Sequence, residues 1–240
     1  MRIYVPQKLK PGATIRLSDA AAHHVARVMR RREGDALALF DGKGSEVSAH
    51  IAAISKRGDV QVTVGERQPA LPESGLAVHL GLAVGKGDRM DFAIQKAVEL
   101  GVAAVTPLYT HHGDVRLKSE RAQKKRDHWQ AVAVNACEQC RRATVPVVYP
   151  AIALDEWLAA RDEALRLVLH PYDAGPLADA ASPGSAALLV GPEGGLSDEE
   201  VAHAHAHGFH SWIIGPRILR METAPIVALS LLQARYGDFA

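Results

Sequence analysis

The hydrophobic rhythm of the chain changes near residue 70. Before that point apolar and polar residues alternate in short runs separated by turn signals. The alternation predicts strands at residues 3–5, 14–17, 36–40, 46–54 and 60–64. Pro11-Gly12, Asp41-Gly42, Lys43-Gly44 and Arg57-Gly58-Asp59 lie between them. One helix interrupts, with Ser18-Asp19 as its cap, residues 20–32 as its body and Glu33-Gly34 as its stop. Several short strands with glycine turns predict a small β-barrel. After a Pro/Gly-rich linker at 68–75 the period lengthens. Strands are predicted at 76–84, 102–108, 145–149, 165–170, 186–190 and 211–214, and helices at 88–100, 119–138, 154–160, 197–207 and 224–236. Strands alternating with helices imply an α/β layer around a mainly parallel sheet. The pattern divides the chain into residues 1–72 and 73–240.

Composition narrows the class. The 240 residues hold enough apolar side chains for a core. The chain contains no run of about twenty apolar residues, so no membrane span is expected. Its start lacks the basic and apolar parts of a signal peptide, and two cysteines do not make a disulfide framework. These features predict a cytoplasmic protein. The net charge of +1 conceals an asymmetry. Residues 1–72 carry twelve Lys/Arg against seven Asp/Glu, whereas residues 73–240 carry sixteen against twenty. A basic first part fits either a phosphate-binding surface or a merely solvated face.

Two loops concentrate the candidate chemistry. Gly191-Pro192-Glu193-Gly194-Gly195 follows an apolar strand and precedes a helix capped by Ser197. Its glycines let backbone approach a ligand closely, at the strand end where open α/β sheets bind ligands. Residues 214–224 then place Arg217, Arg220, Glu222 and Thr223 between a strand and an apolar helix. Two guanidinium forks suit phosphate or a developing oxyanion, and an Arg–Glu pair that only holds the loop is compatible with that reading.

Other motifs are weaker. The G-x-G-x-x-G fingerprint is absent. Gly81 to Gly87 is one residue short of a P-loop and lacks the hydroxyl that would hold magnesium. Cys137-Glu138-Gln139-Cys140 falls at a helix end with no second cysteine pair, which argues against zinc or redox use. His203, His205, His207 and His210 do not form H-E-x-x-H, and His111-His112 falls in a loop. No metal is expected. Lys118, Arg121, Lys124, Lys125 and Arg126 make a basic helix start, solvated by default.

The whole chain resembles the RsmE family of bacterial 16S ribosomal RNA (uracil-N3)-methyltransferases, of the SPOUT superfamily. The resemblance runs through Arg2-Ile3-Tyr4, His24 to Arg30, Gly34-Asp35, Leu39 to Gly42, Lys86 to Asp91, Gln95 to Val102, Ala136 to Cys140, and the loops 191–195 and 215–224. It implies a PUA-like N-terminal β-barrel that binds RNA and a SPOUT-type α/β domain with a trefoil knot. It also implies a homodimer, S-adenosylmethionine as methyl donor with S-adenosylhomocysteine as product, and 16S rRNA or the assembled small ribosomal subunit as substrate. Carried over by position, the cofactor residues are Leu169, His170, Gly191, Glu193, Gly194, Gly195, Ile214, Gly215, Leu219, Arg220, Glu222, Thr223 and Ala224. Met221 stands where the family often has Thr and is left out of the site. Arg220 and Arg217 are the expected cationic partners of uracil oxygen or phosphate, and Glu222 is either a proton acceptor or a carboxylate that only orients an arginine. Arg2, Arg27, Arg30, Arg31 and Arg32 are the expected RNA contacts. Two other classes remain open: an RNA-binding assembly factor that has lost catalysis, and a nucleotide-dependent enzyme using the glycine loops for phosphate.

Overall fold

The computed structural model describes residues 1–113, 119–170, 175–177 and 182–239. The chain forms two compact units, Met1–Glu73 with Cys137–Val145, and Ser74–Ala136 with Pro146–Ala240. The sequence division at 72/73 does not anticipate that Cys137–Val145 belongs with the first unit.

In the first unit, β1 (Arg2–Tyr4), β2 (Thr14–Arg16), β3 (Ala36–Phe40), β4 (Glu46–Ile54) and β5 (Val60–Gln68) form a five-stranded sheet in the order β1-β3-β4-β5-β2. Only β1 and β3 pair parallel. Burial alternates along β4 and β5, so one face of each carries the core. Ile3, Leu39, Val47, Ile51, Val60 and Val62 meet there. The helix expected over 20–32 is shorter. Ser18 Oγ accepts the Ala21 N–H and opens α1 (Asp19–His23), a π-helical turn (His24–Val28) follows, and Arg30 then enters the left-handed region at φ 51°. Apolar periodicity carries no sign of that backbone reversal.

The second unit holds a parallel sheet built from β6 (Ala77–Ala83), β7 (Ala104–Tyr109), β8 (Val147–Val148), β9 (Ile152–Ala153), β10 (Leu165–Leu169), β11 (Ser185–Val190) and β12 (His210–Trp212). Its order is β12-β10-β11-β6-β7-β8, with β9 also against β7. Helices α2 (Arg89–Glu99), α3 (Ser119–Cys140), α4 (Leu154–Ala159), α5 (Asp198–Ala206) and α6 (Ala224–Tyr236) connect and cover it. The short β9 was not expected from sequence. β6 and β11 are buried along nearly their whole length, as strands covered on both faces must be. On one face, Trp157 and Leu158 of α4 and Val201 and Ala204 of α5 pack against Leu108, Val168, Ala187 and Leu189. Among the described residues, no helix is long and apolar enough to cross a membrane.

Candidate active site

Three neighbouring parallel strands, β12, β10 and β11, deliver their carboxyl-end loops to one cavity of about 380 Å³ in the second unit. Parallel strands end on the same side of a sheet, so their loops converge without further design. Leu169 and His170 come from β10. Gly191, Pro192, Glu193, Gly195 and Leu196 follow β11. Ile213, Ile214, Gly215, Arg217, Ile218, Leu219, Arg220 and Met221 follow β12, and Ala224 opens α6. Of the thirteen positions expected around the cofactor, ten line this cavity. Gly194, Glu222 and Thr223 flank it without lining it.

The 191–195 loop is a tight turn. Gly195 N–H donates to the Pro192 carbonyl at 2.9 Å, and Gly195 sits at φ +75°, which a side chain would strain. A Cβ on Gly191 would come within 3.0 Å of Leu196 Cγ. The turn leads into α5 through a capping box. Glu200 N–H donates to Ser197 Oγ at 3.2 Å, and Glu200 Oε2 accepts the Ser197 N–H at 2.9 Å. Beyond β12, the N–H groups of Thr223 and Ala224 both donate to the Arg220 carbonyl at 2.9 Å, so the first turn of α6 fixes that backbone. The Arg220 and Arg217 side chains are exposed, and Ile218 stands 87% exposed at the loop apex. Glu222 Oε2 is buried without a hydrogen-bond partner. A buried carboxylate oxygen in that state costs free energy until a donor or cation reaches it.

Sequence reasoning missed several lining residues. Arg89, at the start of α2, also lines the cavity and pairs with the Glu193 carboxylate. Trp212 and Leu196 give the cavity apolar wall. Met221, left out of the expected site, lines it too: it is 3% exposed, and its methyl lies where a Cβ on Gly85 would fall. A family pattern with Thr at this position hid a residue that fills space rather than bonding.

The expected RNA contacts separate into two groups. Arg27, Arg30 and Arg32 are exposed around the end of the π-helical turn, while Arg31 is half-buried beside Asp35. Arg2 corrects the expectation. Its guanidinium bonds Glu46 at 2.9 Å and the carbonyls of Cys137 and Arg142 at 2.6 and 3.0 Å, and it lies 4.4 Å over the Phe40 ring. These bonds commit it inside the first unit, leaving no free fork for RNA.

The Cys-x-x-Cys segment has a structural task in the same place. Glu138 Oε1 accepts the Tyr4 N–H at 2.9 Å, and burial pushes the Cys137 thiol up to about 12. A thiol that stays protonated is neither nucleophile nor metal ligand. The histidines of α5 have separate partners, Asp155 for His203 and Ser211 for His205. Among the described residues, no group of three His, Cys, Asp or Glu is arranged to hold a metal. Lys118 of the basic helix start lies outside the described residues.

Comparison with known proteins bears on the family of the chain. Residues 72–233 match the family model of an RNA methyltransferase domain, and residues 9–64 match that of an RNA methyltransferase PUA domain. Ribosomal RNA small subunit methyltransferase E of Buchnera aphidicola from Schizaphis graminum is 32% identical, over 100% of this chain and 98% of its own. The Bacillus subtilis protein of that name is 30% identical, over 94% and 92%. Among solved structures, a methyltransferase from Legionella pneumophila in complex with SAM superimposes with TM-score 0.95 at 41% identity, covering 99% of this chain and 98% of that one. The small subunit methyltransferase E of Neisseria gonorrhoeae bound to S-adenosylmethionine gives 0.92 at 36%, covering 100% and 99%. With the family models, the curated relatives and the solved structures in agreement over nearly the whole chain, it belongs to the ribosomal RNA small subunit methyltransferase E family.

Proposed function

We propose that this chain transfers a methyl group from S-adenosylmethionine to N3 of one uridine in small-subunit ribosomal RNA, releasing S-adenosylhomocysteine. The observation that carries the reading is the convergence of the 191–195 and 214–224 loops on one cavity in a chain of this family. The residues present suit the cofactor. Glycine backbone admits close approach, and Leu169, Leu196, Trp212 and Ile214 offer apolar wall. When bound, the cofactor supplies an electrophilic methyl group on a sulfonium.

The chain's own residues do the rest. N3 carries a proton and attacks only as that proton leaves, so the base must be held in line with the methyl group. Negative charge then builds on the uracil oxygens. Arg220, with Arg217 second, is the group that stabilises it or grips the adjacent phosphate. Glu222 accepts the N3 proton. N3 lies on the pairing edge, so the uridine must be single-stranded or swung out. Arg27, Arg30, Arg31 and Arg32 of the first unit track the phosphate backbone.

The reading extends to the SPOUT trefoil knot, a PUA-like barrel and a homodimer. Support for the knot is the strand order, in which β10 lies between the later strands β11 and β12. Substrate and site are tested together by mass mapping small-subunit RNA from cells with and without the gene. A methyluridine lost on deletion and restored by purified protein with S-adenosylmethionine is expected. An unchanged map, or protein that binds no S-adenosylmethionine by calorimetry, sinks the reading.

A further inference from the structure

The 110–113 turn after β7 has no part in the proposed activity, yet it is stapled to the glycine loop at two points and to α5 at a third. Glu200 Oε1 accepts the His111 N–H at 2.7 Å, while its second oxygen completes the α5 capping box. His112 Nδ1 lies 3.2 Å from the Gly195 carbonyl. A carbonyl only accepts, so Nδ1 carries the proton. The His112 Cβ packs so closely on Gly194 that a methyl group there would lie 3.2 Å from it. The turn itself is closed by the Gly113 N–H on the Thr110 carbonyl, and the His111 and His112 rings stand edge to face at 4.8 Å.

The glycine loop cannot supply this order alone. Three of its five residues are glycine, which loses more backbone freedom on ordering than any other residue. Its internal turn bond, Gly195 to Pro192, fixes local curvature. The Arg89–Glu193 ion pair tethers the same loop through a different residue, Glu193, and leaves the Gly195 carbonyl to His112.

We infer that His112 is a positioning residue of the cofactor site: its Nδ1–H grips the Gly195 carbonyl and holds the 191–195 loop in the shape that receives S-adenosylmethionine. The inference rests on the proposed methyltransferase reading. If His112 lets go, the loop samples other shapes, and apparent affinity falls by the fraction of molecules still competent. One net hydrogen bond corresponds to a weakening of about three- to tenfold.

The test uses full-length protein, S-adenosylmethionine calorimetry and steady-state methylation. His112→Ala is expected to bind S-adenosylmethionine about three- to tenfold more weakly. Its KM for S-adenosylmethionine should rise, with kcat and the KM for RNA near wild type. Circular dichroism and thermal unfolding check that the fold is intact. His112→Asn places an amide donor where Nδ1 stands and should restore most of the affinity. Wild-type affinity in a folded His112→Ala protein overturns the inference, as does an Asn variant as weak as the Ala variant. Wild-type protein that binds no S-adenosylmethionine overturns the methyltransferase reading, and this inference with it.

Discussion

Gly85→Ala is the sharpest perturbation available at the cavity. Gly85 is buried just beyond β6, and a Cβ built on it lies 1.9 Å from Met221 Cε. Carbon atoms rest about 3.5–4 Å apart, so the Met221 methyl must retreat by roughly 2 Å. Methionine has three soft torsions, which keeps the cost of folding near 1 kcal/mol, the low end for overpacking. The direction of retreat matters more. Met221 is 3% exposed and lines the cavity, so the open side available to its methyl is the cavity itself. Displacing the contact of one or two ligand CH₂-sized groups costs about 0.8–1.6 kcal/mol, or roughly a four- to fifteenfold weaker Kd. Calorimetry with S-adenosylmethionine reads that loss, and thermal unfolding reads the stability term. Met221→Thr shortens the side chain, so Gly85→Ala/Met221→Thr should recover affinity, with a coupling of about 1 kcal/mol between the two sites. Wild-type affinity in Gly85→Ala, or additive effects in the double variant, refutes the reasoning.

Further outcomes are expected at other positions. Arg220→Ala should keep its fold and S-adenosylmethionine affinity within a fewfold but lose about 100-fold or more in kcat, the scale of a lost charge-stabilising donor; full methylation by folded protein removes Arg220 from the chemistry. Glu222→Gln should lower kcat about 100-fold in folded protein, and a wild-type kcat eliminates it as proton acceptor. Burial first, and the Arg161 guanidinium second, depress His79 from 6.5 to about 4. Between those values the unfolded chain binds the proton and the folded chain does not. Stability is therefore full above about pH 6.5 and falls by up to about 3 kcal/mol as pH drops to 4, and denaturant midpoints for wild type and His79→Gln should converge across that window. Thiol titration of native protein at pH 8 should label Cys140 and spare Cys137, with both reacting after denaturation.

Local pattern carried most of the element order. β3, β4 and α6 fall where the periodicity puts them, because alternation and the 3.6 period are properties of neighbouring residues. The end of the first helix was not legible, since the reversal at Arg30 puts a non-glycine residue at positive φ that sequence does not announce. The two loops that line the cavity stood out in the sequence because glycine, arginine and glutamate at strand ends are unusual. The residues that shape those loops from elsewhere could not. Arg89, His112 and Met221 act through contacts spanning 104, 83 and more than 130 residues of sequence, with partners that no local window contains. Arg2 was misread for the same reason, since its partners Cys137 and Arg142 lie 135 and 140 residues away.

The make-up of the first unit bears on how a ribosome can produce it. Arg2 and Tyr4 are among the first residues synthesised, yet they bond to Cys137, Glu138 and Arg142. Glu46 can meet the Arg2 guanidinium early, but the other partners of this strand appear only after more than half of the chain has been translated. A gene fragment ending at the linker would encode a unit without its own Cys137–Val145 segment. Recombination at that boundary would transplant an incomplete module, so this pair of units is expected to be inherited as one block rather than shuffled.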